Sequence, residues 1–492
     1  GKIAALDTDD LEAGTITAHR VPVGQGPSGL ALDVARDRLY VMNRIDHTIS
    51  VVSDASSGAR AQTAVVSLHH DPSPPIARLG RRFLYDALDT SGHGDSACAS
   101  CHICGDFDSL AWDLGDPFGE IVANPNPFRV GSGGPFHPMK GPMTTQSLRG
   151  MADMGPMHWR GDRSGGTEGG DPLDEDAAFK AFNPAFVGLL GRATELTAQE
   201  MQQFTDFILT VRYPPNPIRA LDNVPTTAQA NAENFFLNTP TDGGALTCNF
   251  CHRLPAGTDG LSSFEGETQE FKIAHLRNAY QKVGMFGLPS GVLGGTGHLG
   301  DQVRGFGYLH DGSIPTIFNF LRSSVFTNLN DTMRRNLENF SLSLDTGLRP
   351  VVGQQVSATS ATFASSAVIG RIDLLIARDD AGDCELVVKG VAGGEPRGWR
   401  YAGGNNFQGD RAADPLLDKT SLRTLAGTAG QEQVYTCVPP GAGVRIGIDR
   451  DGDNALDGDE RDAGSDPGDP SSLPSNVATP TPSFTATLVP TG

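Results

Sequence analysis

The chain has 492 residues, 20% of them charged, and a formal net charge of −20. That acidity argues against nucleic acid as a partner, because phosphates demand a basic face, and no apolar run approaches the roughly 18 to 20 residues that span a bilayer as a helix. The length suits about three domains, and the opening Gly1-Lys2-Ile3-Ala4 does not read as a signal peptide, so the chain is expected to be mature, processed or a fragment.

Residues 1–66 alternate apolar and polar positions in strand-like runs: Gly29-Leu30-Ala31-Leu32-Asp33, Arg38-Leu39-Tyr40-Val41-Met42-Asn43 and Thr48-Ile49-Ser50-Val51-Val52. These runs resemble a blade of the YVTN-type β-propellers. One blade and part of a second cannot close a propeller, since repeats bury their faces on neighbours. Either upstream blades are missing from this chain or the strands pack on something else, and the segment is expected to serve as a surface for self-association or assembly.

Residues 72–350 carry an internal duplication. Its first half, 72–217, runs from a helix-like Ile76–Tyr85 stretch into Cys98-Ala99-Ser100-Cys101-His102, then Ser147-Leu148-Arg149-Gly150, then His158-Trp159-Arg160-Gly161-Asp162. An amphipathic helix closes it, with Met201, Phe204, Ile208 and Val211 on one face and a Thr197/Glu200 capping box. The second half, 218–350, repeats the order. Ala230–Phe236 leads to Cys248-Asn249-Phe250-Cys251-His252, then His275-Leu276-Arg277-Asn278, then His310-Asp311-Gly312-Ser313, and a helix bears Met333, Leu337, Phe340 and Leu344.

Cys-x-x-Cys-His is the attachment signature of c-type haem. Two thiols on one turn form thioethers to the porphyrin vinyl groups, and the adjacent imidazole ligates iron. Two copies 150 residues apart predict two covalently attached haems, held by Cys98, Cys101, Cys248 and Cys251 with His102 and His252 as proximal ligands. Around the first haem, His137 is the first choice of distal ligand and His158 the second. Met157 and Met285 each lie nine residues past the matched leucines Leu148 and Leu276, so they are expected to be equivalent. Met285 is the first choice at the second haem, His298 the alternative, and His310 is expected to bind a propionate. Arg149 and Arg277, at matched positions, are expected to pair with propionates.

Residues 355–447 read as a small β domain, with strand-like runs at Ala367-Val368-Ile369-Gly370 and Glu385-Leu386-Val387-Val388 and a disulfide between Cys384 and Cys437. Covalent haem and a disulfide together indicate an oxidising compartment, periplasmic or extracellular. Cys104, the odd cysteine, is expected to be a buried spectator. Residues 448–470 contain a calcium-loop spacing: Asp449, Asp451, Asp453, Asp457 and Glu460 at positions 1, 3, 5, 9 and 12, with Asn454 at the sixth position and no incoming helix. The tail 471–492 is rich in Pro, Thr and Ser and has no core-forming pattern.

With these residues in view, positions 72–350 resemble the bacterial di-haem cytochrome c peroxidase and MauG family. The matching pieces are the paired CxxCH motifs, Lys140-Gly141-Pro142 after His137, Phe271-Lys272-Ile273-x-x-Leu276-Arg277-Asn278, and Leu309-His310-Asp311-Gly312-Ser313. The resemblance implies a multidomain α+β chain: two tandem, mainly-α cytochrome c-like domains with a calcium ion between them, flanked here by β-strand segments and a small β domain. It also implies peroxide reduction or electron relay in a bacterial periplasm. Two departures weigh against peroxidase chemistry. Phe182-Asn183-Pro184-Ala185-Phe186 lacks the family's pocket glutamate, and Ser324, Val325 and Phe326 stand where its Met or Tyr is expected. Asp162 and Glu168 are the substitutes to consider as acid/base. The expected function is a secreted di-haem cytochrome passing electrons between redox partner proteins. The alternatives are a di-haem peroxidase or MauG-like oxidase, and a structural subunit of an extracellular redox assembly.

Overall fold

A computed structural model describes residues 1–68, 71–131, 133–264, 269–284 and 307–474. Met285, His298 and the tail beyond 474 lie outside the described residues. The chain forms two compact units, one from residues 1–68 with 73–348 and one from residue 349 onward. No helix among the described residues is long and apolar enough to cross a membrane.

The first unit opens with an antiparallel meander of Pro27–Asp33, Arg38–Asn43, Thr48–Ser53 and Ala61–Ser67, accompanied by the hairpin Lys2–Leu6/Ala18–Pro22. The register aligns Leu30, Val41, Ser50 and Val65 on one face. Val21, Val41 and Val52 form a small core there. The rim stays open: Leu30 is 65% exposed, Leu32 60% and Val65 52%. Every residue of the edge strand Ala61–Ser67 is exposed, which leaves backbone groups available to another strand.

Two helix pairs follow, one per half of the duplication. Pro75–Tyr85 packs on Ala198–Leu209, and Thr227–Asn238 packs on Asp331–Leu342. In the first pair, a Cβ on Gly80 would fall 2.2 Å from Phe207 Cβ and 2.3 Å from the Gln203 carbonyl. Only glycine permits that approach. The Thr197/Glu200 capping box forms as expected, and Thr226/Gln229 makes a second one at the matched helix. The closing helix of the first half ends at Leu209, ahead of Val211, so only Met201, Phe204 and Ile208 of the expected stripe are buried within it. The halves are stitched by a small sheet in which Ser262–Ser263 pairs with Phe271–Lys272 on one side and with Phe128–Val130 on the other. An Arg129–Asp259 ion pair of 2.8 Å crosses the same seam.

The internal register differs from the expected one. Met157 bridges Arg163, and Tyr308 bridges Ile314, two turns of identical span. Inside them His158 and Leu309 take φ of 66° and 63°, and Gly161 and Gly312 take 67° and 73°. Met157 thus corresponds to Tyr308 rather than to Met285, and His158 corresponds to Leu309. Counting forward from Leu276 fails because the second half has a long insertion before this turn.

The second unit is a six-stranded antiparallel sheet in the order Gln355–Ala358, Gln433–Val438, Glu385–Ala392, Glu395–Gly403, Asn406–Gly409, Leu417–Asp418. Ala367–Gly370, expected as a strand, lies instead in the helix Ser366–Asp380. Ser365 caps it, and Val368, Ile372, Leu375 and Ile376 recur at helical spacing and are buried with Leu386, Val388, Phe407 and Tyr435. The β-branched run is too short to override that stripe. The Cys384–Cys437 disulfide is formed and buried.

Candidate functional site

Both CxxCH segments fold as short helical turns, Cys98–Ser100 and Cys248–Cys251, and none of their four cysteines is in a disulfide. Without haem attached, burial pushes the Cys98 and Cys248 thiols up to about 11. The following histidines share one arrangement. His102 Nδ1 lies 2.8 Å from the Gln146 carbonyl, and His252 Nδ1 lies 2.9 Å from that of Gly257 and 3.1 Å from that of Ala274. A carbonyl accepts only from N–H, so each imidazole carries its proton on Nδ1 and keeps Nε2 as a lone-pair donor. Burial lowers the pKa of both rings, which favours that neutral form. Gln146 and Ala274 each lie two residues before the matched leucine, so the duplication extends to this hydrogen bond.

In the first site, His158 stands near enough to His102 to weigh on its pKa. Its Nδ1 is 2.9 Å from Asp162 Oδ1, and its ring meets Phe182 edge-on at 4.6 Å. Burial lowers the His158 pKa, outweighing the attraction of Asp162. Asp162 is gripped by Arg160 at 3.1 Å and Lys140 at 3.3 Å as well. Burial alone would raise its pKa, but His158, Lys140 and Arg160 hold it far below the usual carboxylate range. Asp162 is thus a fixed acceptor and a poor proton donor. Glu168, the other acid considered, is exposed.

The structure brings His158, not His137, to His102. The His137 side chain is exposed, its Nδ1 accepts from the Met139 N–H, and only its carbonyl joins the site, through Arg160 at 2.6 Å. Cys104, expected to be buried, is exposed: it takes a φ of 56° in the turn after His102, and its carbonyl accepts from Arg149. Arg149 also pairs with Asp106 at 3.4 Å. Arg277, its counterpart, has a buried Nε without a hydrogen-bond partner.

The second motif opens on a cavity of about 380 Å³. Cys248, Cys251 and His252 line it together with Trp159, Lys272, His275, Lys282 and His310. His310 stacks on Phe271 at 4.3 Å. Lys282 Nζ stands 4.8 Å from the centre of the Trp159 ring, whose indole N–H donates to the Thr144 carbonyl. Burial lowers Lys272 and Lys282 to about 8. His275 falls well below its ordinary value through burial and then through Lys282, Lys272 and Arg277, and its buried Nδ1 has no partner. Three basic side chains, Lys272, His275 and Lys282, in one largely apolar pocket fit a group with carboxylates at its edge and an iron at its centre, as a haem has. The sequence did not mark Lys272, His275 and Lys282 as a cluster; a signal existed in their positions around Leu276-Arg277, but only the fold shows their burial.

In the second unit, Asp449, Asp451 and Asp453 bring carboxylate oxygens within 4.8 Å of one another. Burial and then crowding by neighbouring carboxylates raise Asp451 to about 7 and Glu460 to about 8. Asn454 takes the left-handed conformation expected of it, with φ 75°. A short helix, Gly443–Gly447, precedes the loop where none was expected, and Asp457–Ala463 follows it.

No protein-family model matches the chain, and no curated protein does. Among solved structures it is similar to a Kuenenia stuttgartiensis hydrazine synthase under 20 bar of xenon, at 18% identity and a TM-score of 0.38, over 56% of this chain and 90% of that one. A MauG-like protein associated with microbial copper homeostasis matches at 14% identity and a TM-score of 0.31, over 57% and 91%. The diheme peroxidase BthA from Burkholderia thailandensis E264 matches at 14% and 0.29, over 58% and 91%. Similarity at this level transfers no function, so the chemistry follows from this chain's own residues.

Proposed function

We propose that the chain is a di-haem c-type redox protein of the bacterial periplasm or cell exterior, passing electrons between its two haems and a soluble partner protein. One observation carries the reading: consecutive residues reach the two sites, His158 beside His102 and Trp159 in the wall of the second cavity. Neighbouring residues of one turn therefore belong to the surroundings of both motifs. Haem supplies reversible one-electron chemistry at its iron. The chain does the rest. His102 and His252 would offer Nε2 as proximal ligands, and His158, oriented by Asp162, would offer a further ligand nitrogen at the first site. Arg277, Lys272 and Lys282 offer cations to propionates. Residues 1–66, with their open apolar rim and exposed edge strand, serve as the surface for self-association or assembly.

A second reading, reaction with peroxide at the second haem, is favoured by Leu309. It occupies the position matched to His158 and has no ligand atom. Met285 and His298, outside the described residues, are the remaining expected ligands there. Visible and EPR spectra of the oxidised protein, followed by carbon monoxide added to the reduced protein, separate the two readings. An electron carrier gives two low-spin haems and no adduct. A peroxidase gives an adduct at one haem and consumes peroxide with a small cytochrome as donor. Absence of haem altogether would refute both.

A further inference from the structure

The acidic loop of the second unit carries an observation independent of its spacing. Glu460 is 0% exposed, and neither of its carboxylate oxygens has a hydrogen-bond partner. Its carboxylate faces Asp449, Asp451, Asp453 and Asp457 closely enough for each to act on it. Asp451 Oδ2 and Asp453 Oδ2 are likewise buried without partners. Burying an ionised carboxylate without compensation is strongly unfavourable, and the two cations paired nearby, Lys389 and Arg450, reach Asp457 at 3.6 and 3.8 Å.

The backbone is folded to aim these oxygens inward. Gly452 and Asn454 donate to the two oxygens of Asp449 at 2.8 and 3.1 Å, Asp453 donates to Asp451 Oδ1 at 3.3 Å, and Ala455 donates to Asp453 Oδ1 at 2.7 Å. Each aspartate thus spends at least one oxygen on shaping the turn, and for Asp451 and Asp453 the other remains. Asp457 differs. Its Oδ1 accepts from the Arg450 N–H at 2.8 Å and its Oδ2 is approached by Lys389 and Arg450, so it suits the ninth position of such loops, which often acts through water.

We infer that Asp449, Asp451, Asp453 and Glu460 bind one calcium ion directly, with Asp457 acting through water, and that this ion clips the helix Asp457–Ala463 onto the sheet of the second unit. The attachment is visible on the helix's other contacts. Gly458 donates to the Asp410 carbonyl at 2.7 Å, Arg461 pairs with the buried Asp410 carboxylate at 2.6 Å, and Arg411 grips Asp462 at 2.6 and 2.8 Å. Asp410 also holds Arg397 and the Gly398 N–H of the neighbouring strand. Fixing Glu460 against the loop therefore fixes the helix that carries these contacts. A hard, large cation with several oxygen ligands fits better than magnesium, which keeps its waters and demands an octahedron.

The test uses the full chain, stripped with a chelator and titrated with calcium or magnesium chloride, with binding read by equilibrium dialysis and stability by thermal melting. One calcium should bind per chain, with half-saturation in the range of roughly 10⁻⁴ to 10⁻³ M, and should raise the melting temperature more than magnesium does. Glu460→Gln should weaken binding by about tenfold or more, since losing even a supporting residue of a metal site typically costs that much, and should abolish the calcium-induced rise. Asp462→Asn, which removes a helix–sheet contact outside the donor set, should lower stability yet keep the rise. Failure of the unaltered protein to bind calcium overturns the proposal, as does an unchanged affinity in Glu460→Gln. Should Glu460→Gln not fold, Asp451→Asn in its place reads the same loss of affinity.

Discussion

His158 Nδ1 lies 2.9 Å from Asp162 Oδ1, and the same carboxylate is paired with Arg160 and Lys140. The contact fixes which imidazole nitrogen carries the proton and leaves Nε2 to coordinate, as carboxylate-backed histidines do at metal centres.

His158→Ala should convert the first haem from a closed, low-spin centre into one that binds carbon monoxide or cyanide. Asp162→Asn should keep the ligand but leave Arg160 and Lys140 without their anion, which typically destabilises by about 3 to 5 kcal/mol when a buried pair is broken. Spectra of the two variants and denaturant unfolding check both. An unchanged first-haem spectrum in His158→Ala would move the ligand to His137, whose exposed loop would then have to turn inward.

Lys272 and Lys282 give a pH signature in protein folded without haem. Burial holds both at about 8, below the ordinary lysine value near 10.4. Between those values the unfolded chain binds more protons than the folded one, so stability should rise as the pH climbs through that window. The penalty for burying the charged lysines is fully present below about 8. Urea midpoints at pH 7.5 and 9.5 measure it, and replacing both lysines by methionine should flatten the difference. With haem attached, propionates would pair with the lysines and raise their pKa values, so the rise should shrink.

Removing the Cys384–Cys437 disulfide with a pair of alanines should destabilise the second unit by about 2 to 5 kcal/mol, because both sulfurs are buried and the bridge closes a separation of 53 residues. Differential scanning calorimetry should show the transition of that unit shifting down. Haem absorption at low temperature should be unaffected.

Deleting residues 1–68 should preserve both haem spectra while abolishing any self-association seen in the longer chain by analytical ultracentrifugation. The meander and the hairpin beside it share a small core of Val21, Val41 and Val52, and the edge strand Ala61–Ser67 is exposed. A truncated chain that still self-associates would place the assembly surface elsewhere.

Where the chemistry is local, it was legible in the sequence. The helical turns at the CxxCH motifs, the Thr197/Glu200 capping box, the Cys384–Cys437 bridge and the left-handed Asn454 each depend on residues within one turn, or on simple cysteine pairing. Features set by tertiary packing were not. Tyr308 as the counterpart of Met157 is hidden by the insertion that precedes it. Cys104 is exposed in a turn where it takes a positive φ. The helix at Ser366–Asp380 is decided by a buried stripe that a four-residue window misses. The basic lining of the second cavity is assembled from residues ten apart, together with Trp159 of the other half, which no periodicity connects.

The most direct test of the central claim is the intact mass of the denatured protein after acid–acetone extraction, with matched samples of Cys98→Ala/Cys101→Ala and Cys248→Ala/Cys251→Ala. Thioethers survive unfolding, so the unaltered chain should carry two haems and each double variant one. A chain at its bare polypeptide mass, with haem recovered in the extract or none at all, would contradict the account.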